Sequence, residues 1–173
     1  MEREEPIVLR SKDARGLVTL RLNRPQAFNA LSEAMLETLQ REFDAIAADE
    51  SVRVVVLAAE GKAFCAGHDL KEMRATPSLN YYQRLFAQCS KVMLAVQRLP
   101  VPVVARVHGV ATAAGCQLVA MCDLAVASRE LIPELAFALL VDCLLALQSG
   151  PFINPTRSKS SGESHPRERP PPH

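Results

Sequence analysis

The chain has 173 residues, enough for one domain with a core of its own. Apolar residues make up 49% and the net charge is +1, a balance that calls for neither nucleic acid nor an anionic membrane as partner. The longest apolar candidate, Leu135 to Leu147, falls short of the about 20 residues a spanning helix needs and carries Asp142, so a soluble protein is expected.

In chain order, Leu17-Val-Thr-Leu-Arg-Leu22 predicts a strand. Met35, Leu36, Leu39, Phe43 and Ile46 fall at helical spacing and predict an amphipathic helix. Val52 to Ala58 is a near-continuous β-branched run, the pattern of a strand buried on both faces. Tyr82, Leu85, Phe86, Cys89, Val92, Met93 and Val96 predict a second helix, which must end near Leu99 because Pro100 follows. Val103–Val107 reads as another strand, Ala113–Met121 as a short helix and Leu124–Ala127 as a third buried strand. Strands alternating with helices predict an α/β fold with right-handed crossovers.

The composition changes near Ser128–Glu130. Seven of the twelve prolines lie from Pro133 onward, and 156–173 is a Ser-, Arg- and Pro-rich stretch that cannot bury enough apolar surface to fold. Residues 131–148 are apolar nearly all round. The expected organisation is therefore a domain over 1–130 and a foreign or misordered tail over 131–173. The acidic start, Met1-Glu-Arg-Glu-Glu-Pro6, fits neither a transit peptide nor a secretory signal. The five cysteines, Cys65, Cys89, Cys116, Cys122 and Cys143, are an odd number in apolar surroundings and read as buried reduced thiols. That points to a reducing compartment: the cytoplasm, or alternatively the mitochondrial matrix.

Two glycine-containing turns carry the chemistry. Lys62-Ala-Phe-Cys-Ala-Gly-His-Asp-Leu-Lys71 follows the Val52–Ala58 strand, and Val110-Ala-Thr-Ala-Ala-Gly-Cys-Gln117 follows Val103–Val107. Both set small residues at a strand's exit, where α/β folds place ligands. N–H groups at the start of a helix lack intrahelical partners and carry the positive end of its dipole. Facing one another, two such turns would make a two-donor oxyanion hole. Neither fits a dinucleotide-binding or Walker pattern.

Leu22-Asn-Arg-Pro25 with Asn29-Ala-Leu31, Ala63-Phe-Cys-Ala-Gly-His-Asp-Leu70, and Gly109 with Ala113-Ala-Gly-Cys116 and Cys122-Asp-Leu-Ala-Val-Ala-Ser128 resemble the enoyl-CoA hydratase/isomerase (crotonase) superfamily in order and interval over about residues 7–128. The resemblance implies a ClpP/crotonase-type α/β fold of repeated ββα units, here incomplete at the C-terminus. It implies hydro-lyase chemistry on acyl-CoA in fatty acid metabolism, with the coenzyme A thioester as substrate and no metal or redox cofactor. A trimer or pair of trimers is the family assembly for a full-length chain. The family's oxyanion donors fall on the backbone N–H groups of His68 and Ala114. Gln26, Ala27 and Phe28 match a segment that lies along coenzyme A, and Ala66 a backbone contact to its adenine end. Asp69 and Leu70 fall beside the ligand, and Asp69 also suits the cap of a following helix.

The departures concern proton transfer. The first of the two glutamates of family hydratases falls on Gln117, whose amide orients water but carries no proton at neutral pH. The second lies beyond Ser128, where the motifs end. The expectation is an acyl-CoA-binding, hydratase-like domain that is weak or inactive in hydration. The other readings are a non-catalytic acyl-CoA binding or interaction module, and a truncated or frame-shifted product without stable function. His68 as a side-chain base, His108 as a strand-end packing residue, and Tyr81 and Tyr82 on a helix covering the site complete the candidates.

Overall fold

The computed structural model describes residues 5–128; the tail boundary at 130, the apolar stretch 131–148 and Cys143 lie outside the described residues. β1 (Val8–Lys12) pairs antiparallel with β2 (Leu17–Leu22), and parallel pairing then adds β3 (Val54–Ala59), β5 (Val103–Val107) and β7 (Leu124–Ala127) in the order β1-β2-β3-β5-β7. A second, two-stranded sheet joins β4 (Ala63–Cys65) to β6 (Val110–Ala111), also in parallel. Each repeat thus sends one strand to the large sheet and the next to the small one before its helix: β3 and β4 precede α2 (Leu70–Ala75), and β5 and β6 precede α4 (Ala114–Ala120). This is the expected succession of ββα units.

Two long helices cover one face of the large sheet. α1 (Glu33–Ala47) begins where the Ser32 side chain accepts the amide of Met35, and α3 (Leu79–Arg98) where Ser78 accepts that of Tyr81. Capping of this kind contributes about 1 kcal/mol to a helix. α3 stops at Arg98, one residue before the Leu99-Pro100 step that the sequence marks as its end. The apolar stripe of α1, Met35, Leu36, Leu39, Phe43 and Ile46, is buried in full and joins Val18, Leu20, Leu22, Val55 and Leu57 in one core.

Two burial expectations are corrected. β3 is buried on one face, but Val54 and Val56 on the other are only half-buried, because among the described residues the long helices cover a single side of the sheet. β7 is exposed along its whole length, with Leu124 at 64%, since among the described residues it is an edge strand paired with β5 alone. Its apolar run is legible as a strand but says nothing about which neighbours cover it. β1, β4, β6 and α2 are short or polar and have no period long enough to read.

Leu57 sits at the centre of the large sheet, fully buried between β2 and β5. Leu57→Ala removes three buried carbons and leaves a cavity, so the urea midpoint falls by the equivalent of about 2–5 kcal/mol, with an unchanged slope.

Candidate active site

The small β4–β6 sheet brings the two glycine turns together. Thr112 donates its amide to the Cys65 carbonyl at 3.1 Å and its hydroxyl to the Ala66 carbonyl at 3.2 Å. Gly115, in the first turn of α4, packs so closely on Cys65 that a Cβ would collide with the Cys65 carbonyl oxygen. Gly67 adopts φ +88°, and a Cβ there would lie 3.1 Å from the Ala113 Cβ and 3.3 Å from the Ala114 amide nitrogen. Both glycines are thus fixed by contact between the turns, and Gly67 also by its left-handed backbone.

The amides of His68 and Ala114 come out of this arrangement unbonded. Leu31 forms a parallel bridge opposite His68, donating to the Gly67 carbonyl at 2.7 Å and accepting from the Asp69 amide at 3.3 Å. In such a bridge the residue facing Leu31 turns its own N–H to the other side, and no described backbone or side-chain acceptor takes it. Ala114 is the first residue of α4, where an N–H has no intrahelical partner. Its cap, Ala113, holds φ 48° and ψ −124°, a left-sided backbone rare for a residue with a Cβ.

Beside these turns is a cavity of about 180 Å³ lined by His68, Phe86, Cys89, Ser90, Met93 and Gln117. The structure therefore brings together the two residues on which the proton question turns, His68 and Gln117. The His68 ring meets the edge of Phe86 at 5.2 Å between centroids, and its buried Nδ1 has no hydrogen-bond partner. Burial lowers the His68 pKa below 6.5, opposed in part by the Leu31 backbone, so the imidazole is neutral at pH 7. Phe86, Ser90 and Met93 are the lining residues that sequence reasoning missed. Phe86 and Met93 read as part of an apolar helix stripe, yet Phe86 is 47% exposed because it faces the cavity and not the core.

The segment expected along coenzyme A lies next to the first turn. Pro25–Ala27 is a single 3-10 turn with Gln26 exposed and Ala27 half-buried, and Phe28 follows it at φ 50°, 57% exposed. The Ala66 amide donates to the Phe28 carbonyl at 3.1 Å, so these two predicted contacts share one exposed edge, with Leu70 exposed at the start of α2. Buried Asn29 holds the segment in place. Its side chain accepts from the Arg24 amide and donates to the carbonyls of Glu60 and Ala63, each at 2.8 Å. Nothing in the local sequence announces that role.

Asp69 caps α2 as expected, its Oδ1 accepting from the amides of Lys71 and Glu72, while its Oδ2 pairs with Arg24 at 3.1 Å. The carboxylate is thereby committed to the turn itself. His108 lies apart from the cavity, its Nε2 2.8 Å from the Gly61 carbonyl. Tyr81 is buried, and Tyr82 donates its hydroxyl to the Met73 carbonyl at 3.2 Å, so α3 reaches the cavity through Phe86 and not its tyrosines. The four described cysteines are free thiols. Burial pushes Cys65 and Cys122 up to about 12 and Cys89 to about 11, leaving them un-ionised at neutral pH.

Crossed ββα repeats that close two small-residue turns on a cavity define a crotonase-like protein. The chain belongs to the enoyl-CoA hydratase/isomerase family, which it matches over residues 12–140. It is similar to a crystal structure of enoyl-CoA hydratase from Mycobacterium smegmatis, at 73% identity and a TM-score of 0.73 over 73% of this chain and 49% of that one. The crystal structure of human enoyl coenzyme A hydratase domain-containing protein 3 is similar at 36% identity and a TM-score of 0.70, over 84% of this chain and 59% of that one. The mitochondrial enoyl-CoA hydratase domain-containing protein 3 of Xenopus laevis is 50% identical over 115 residues, 66% of this chain and 39% of its own length. The chain spans about two-fifths of the curated relatives it matches.

Asp69 gives a test of the turn. Burial pushes its pKa up, but the Glu72 amide and the Arg24 guanidinium together outweigh that and hold it below 3.8. Its stabilisation is present above about pH 4 and lost as pH falls through the lowered value. Asp69→Asn keeps the cap but loses the charge that meets Arg24 and the α2 N-terminus, and is expected to be less stable by about 0.3–1 kcal/mol at pH 7. The gap should narrow at pH 3, read from urea unfolding at both pH values.

Proposed function

We propose that this chain is an acyl-CoA-binding, enoyl-CoA hydratase-like domain that polarises a thioester carbonyl between the backbone N–H groups of His68 and Ala114. The observation that carries the reading is the seating of Gly67 against the Ala114 amide, with both flanking N–H groups left unbonded. Two fixed donors directed at one oxygen stabilise the charge that builds as the thioester becomes an enolate, and one such donor is worth about 10²–10³ in rate. Coenzyme A lies along Gln26, Ala27, Phe28 and the Ala66 backbone as part of the substrate. Leu70 adds apolar surface, and Asp69 fixes the turn. No resident cofactor takes part in this scheme.

Gln117 borders the same cavity and positions water, but an amide neither takes nor gives a proton at neutral pH. Hydration is therefore weak or absent. This favours, as a second reading, a non-catalytic module that keeps the acyl-CoA contacts and the two amides without the acid–base pair. The buried thiols support a reducing compartment. Of the two expected, the mitochondrial one appears in the names of the vertebrate relatives.

Calorimetry with acetyl- and octanoyl-CoA is expected to show binding, and its absence defeats both readings. In bound crotonyl-CoA the thioester carbonyl stretch, followed by difference Raman spectroscopy, should move to lower frequency than in the free ligand. An unshifted band means that no polarising site exists. Crotonyl-CoA hydration at a rate typical of enzymes, with turnover around 10 per second or more, would overturn the claim of weak hydration.

A further inference from the structure

Gln117 leaves the cavity without a carboxylate at that position, yet a titratable side chain is present on the opposite turn. His68, Ser90 and Gln117 line the cavity together with Phe86, Cys89 and Met93. The His68 ring is held edge-to-face by Phe86, and its Nδ1 is buried with no hydrogen-bond partner. A buried polar nitrogen left without a partner is costly to a fold. Ordinary core histidines are paired. This one borders an open volume of about 180 Å³, room for a short acyl group.

We propose that the His68 imidazole is the proton-carrying group of this site, acting on the Cα–H of a bound acyl thioester whose carbonyl oxygen is held by the amides of His68 and Ala114. The inference rests on the acyl-CoA reading above and adds a catalytic residue to it. In the step, the Cα–H bond breaks and an N–H bond forms on the imidazole. The bonding pair moves into the thioester and places negative charge on its oxygen, between the two N–H groups. The return step passes a proton from the imidazolium to Cα. In D2O the imidazolium exchanges with solvent, so the returning nucleus is deuterium and a C–D bond replaces C–H.

The surroundings leave the ring in the form that accepts a proton. Burial lowers its pKa below 6.5, and no charged side chain among the described residues lines the cavity. On α3, Cys89 is the other titratable lining group, and it stays a neutral thiol because burial raises it to about 11. From α4 the facing group is the uncharged Gln117 amide. On its own turn, the neighbouring Asp69 carboxylate is taken up by Arg24 and the α2 amides. The ring therefore titrates as a single site. Exchange should be lost as pH falls through the lowered value.

The test follows the α-methylene signal of butyryl-CoA by proton NMR in D2O with the full chain, at saturating ligand so that a change in affinity does not enter. The expected result is deuteration that slows on the acid side of the free imidazole value and falls on the order of 10²-fold in His68→Gln, which keeps the backbone N–H. His108→Gln, at the exposed histidine bonded to Gly61, is expected to exchange like the parent. Binding without exchange at any pH overturns the inference and leaves the acyl-CoA reading standing. Exchange that is flat from pH 5 to 8, or equal in His68→Gln, also overturns it. Absence of binding overturns both. Should His68→Gln fail to fold, the pH profile of the parent chain still decides.

Discussion

The site depends on one close approach of backbone to backbone, that of α4 on the end of β4. Gly115 lies against the Cys65 carbonyl with no room for a Cβ, and Thr112 fastens the approach by bonding to the carbonyls of Cys65 and Ala66. From that contact the rest follows. β4 and β6 can pair, and Gly67 comes against Ala113 and Ala114. A side chain at Gly115 would force the turns apart, while one at Gly67 would press on Ala113 and Ala114 and strain a left-handed backbone. The small residues between Ala111 and Gly115 are there because the geometry leaves no volume for larger ones.

That contact is supported from outside by polar ties that are mostly buried or half-buried. Asn29 binds the Arg24–Phe28 segment to the strand end at Glu60 and the start of β4 at Ala63, and the Leu31–His68 bridge orients the first turn. Arg24 then reaches Asp69, which caps α2. The effect of these bonds is orientation: they set the direction of the His68 N–H by fixing the residues on either side.

Legibility in the sequence followed the range of the forces involved. β2 and β5 appear in the structure with their predicted limits and α1 with its predicted face, because burial against a core imposes a period on local sequence. α3 keeps Leu85, Cys89, Val92, Met93 and Val96 on its buried face but takes Tyr81 there, with Tyr82 half-buried and Phe86 exposed. β1 and β4 have no such period. Three-residue β4 exists only because β6 pairs with it from 45 or more residues away. The turns could be recognised because small residues and glycine mark close approach. The cavity wall could not, since Phe86 and Met93 obey the same spacing as core residues and differ only in what lies opposite. Gln117 was legible as a departure. Its meeting with the His68 side chain across one cavity is a tertiary fact.

On the proposed reading, Gln117 touches proton transfer and leaves carbonyl polarisation alone, because the two divide between side chain and backbone. An amide N–H is a donor at every pH, and its aim is set by secondary structure, so polarisation of a carbonyl survives any change of side chain that leaves the backbone in place. Proton transfer has no such insurance. It needs a group that changes charge near neutral pH, and in this cavity Gln117 and Ser90 cannot, while Cys89 is held far above that range. Among the described lining residues, only the imidazole of His68 combines a titration range near neutral with an unpartnered buried atom. On the proposed reading, one residue then offers a fixed donor from its backbone and a titrating acceptor from its side chain.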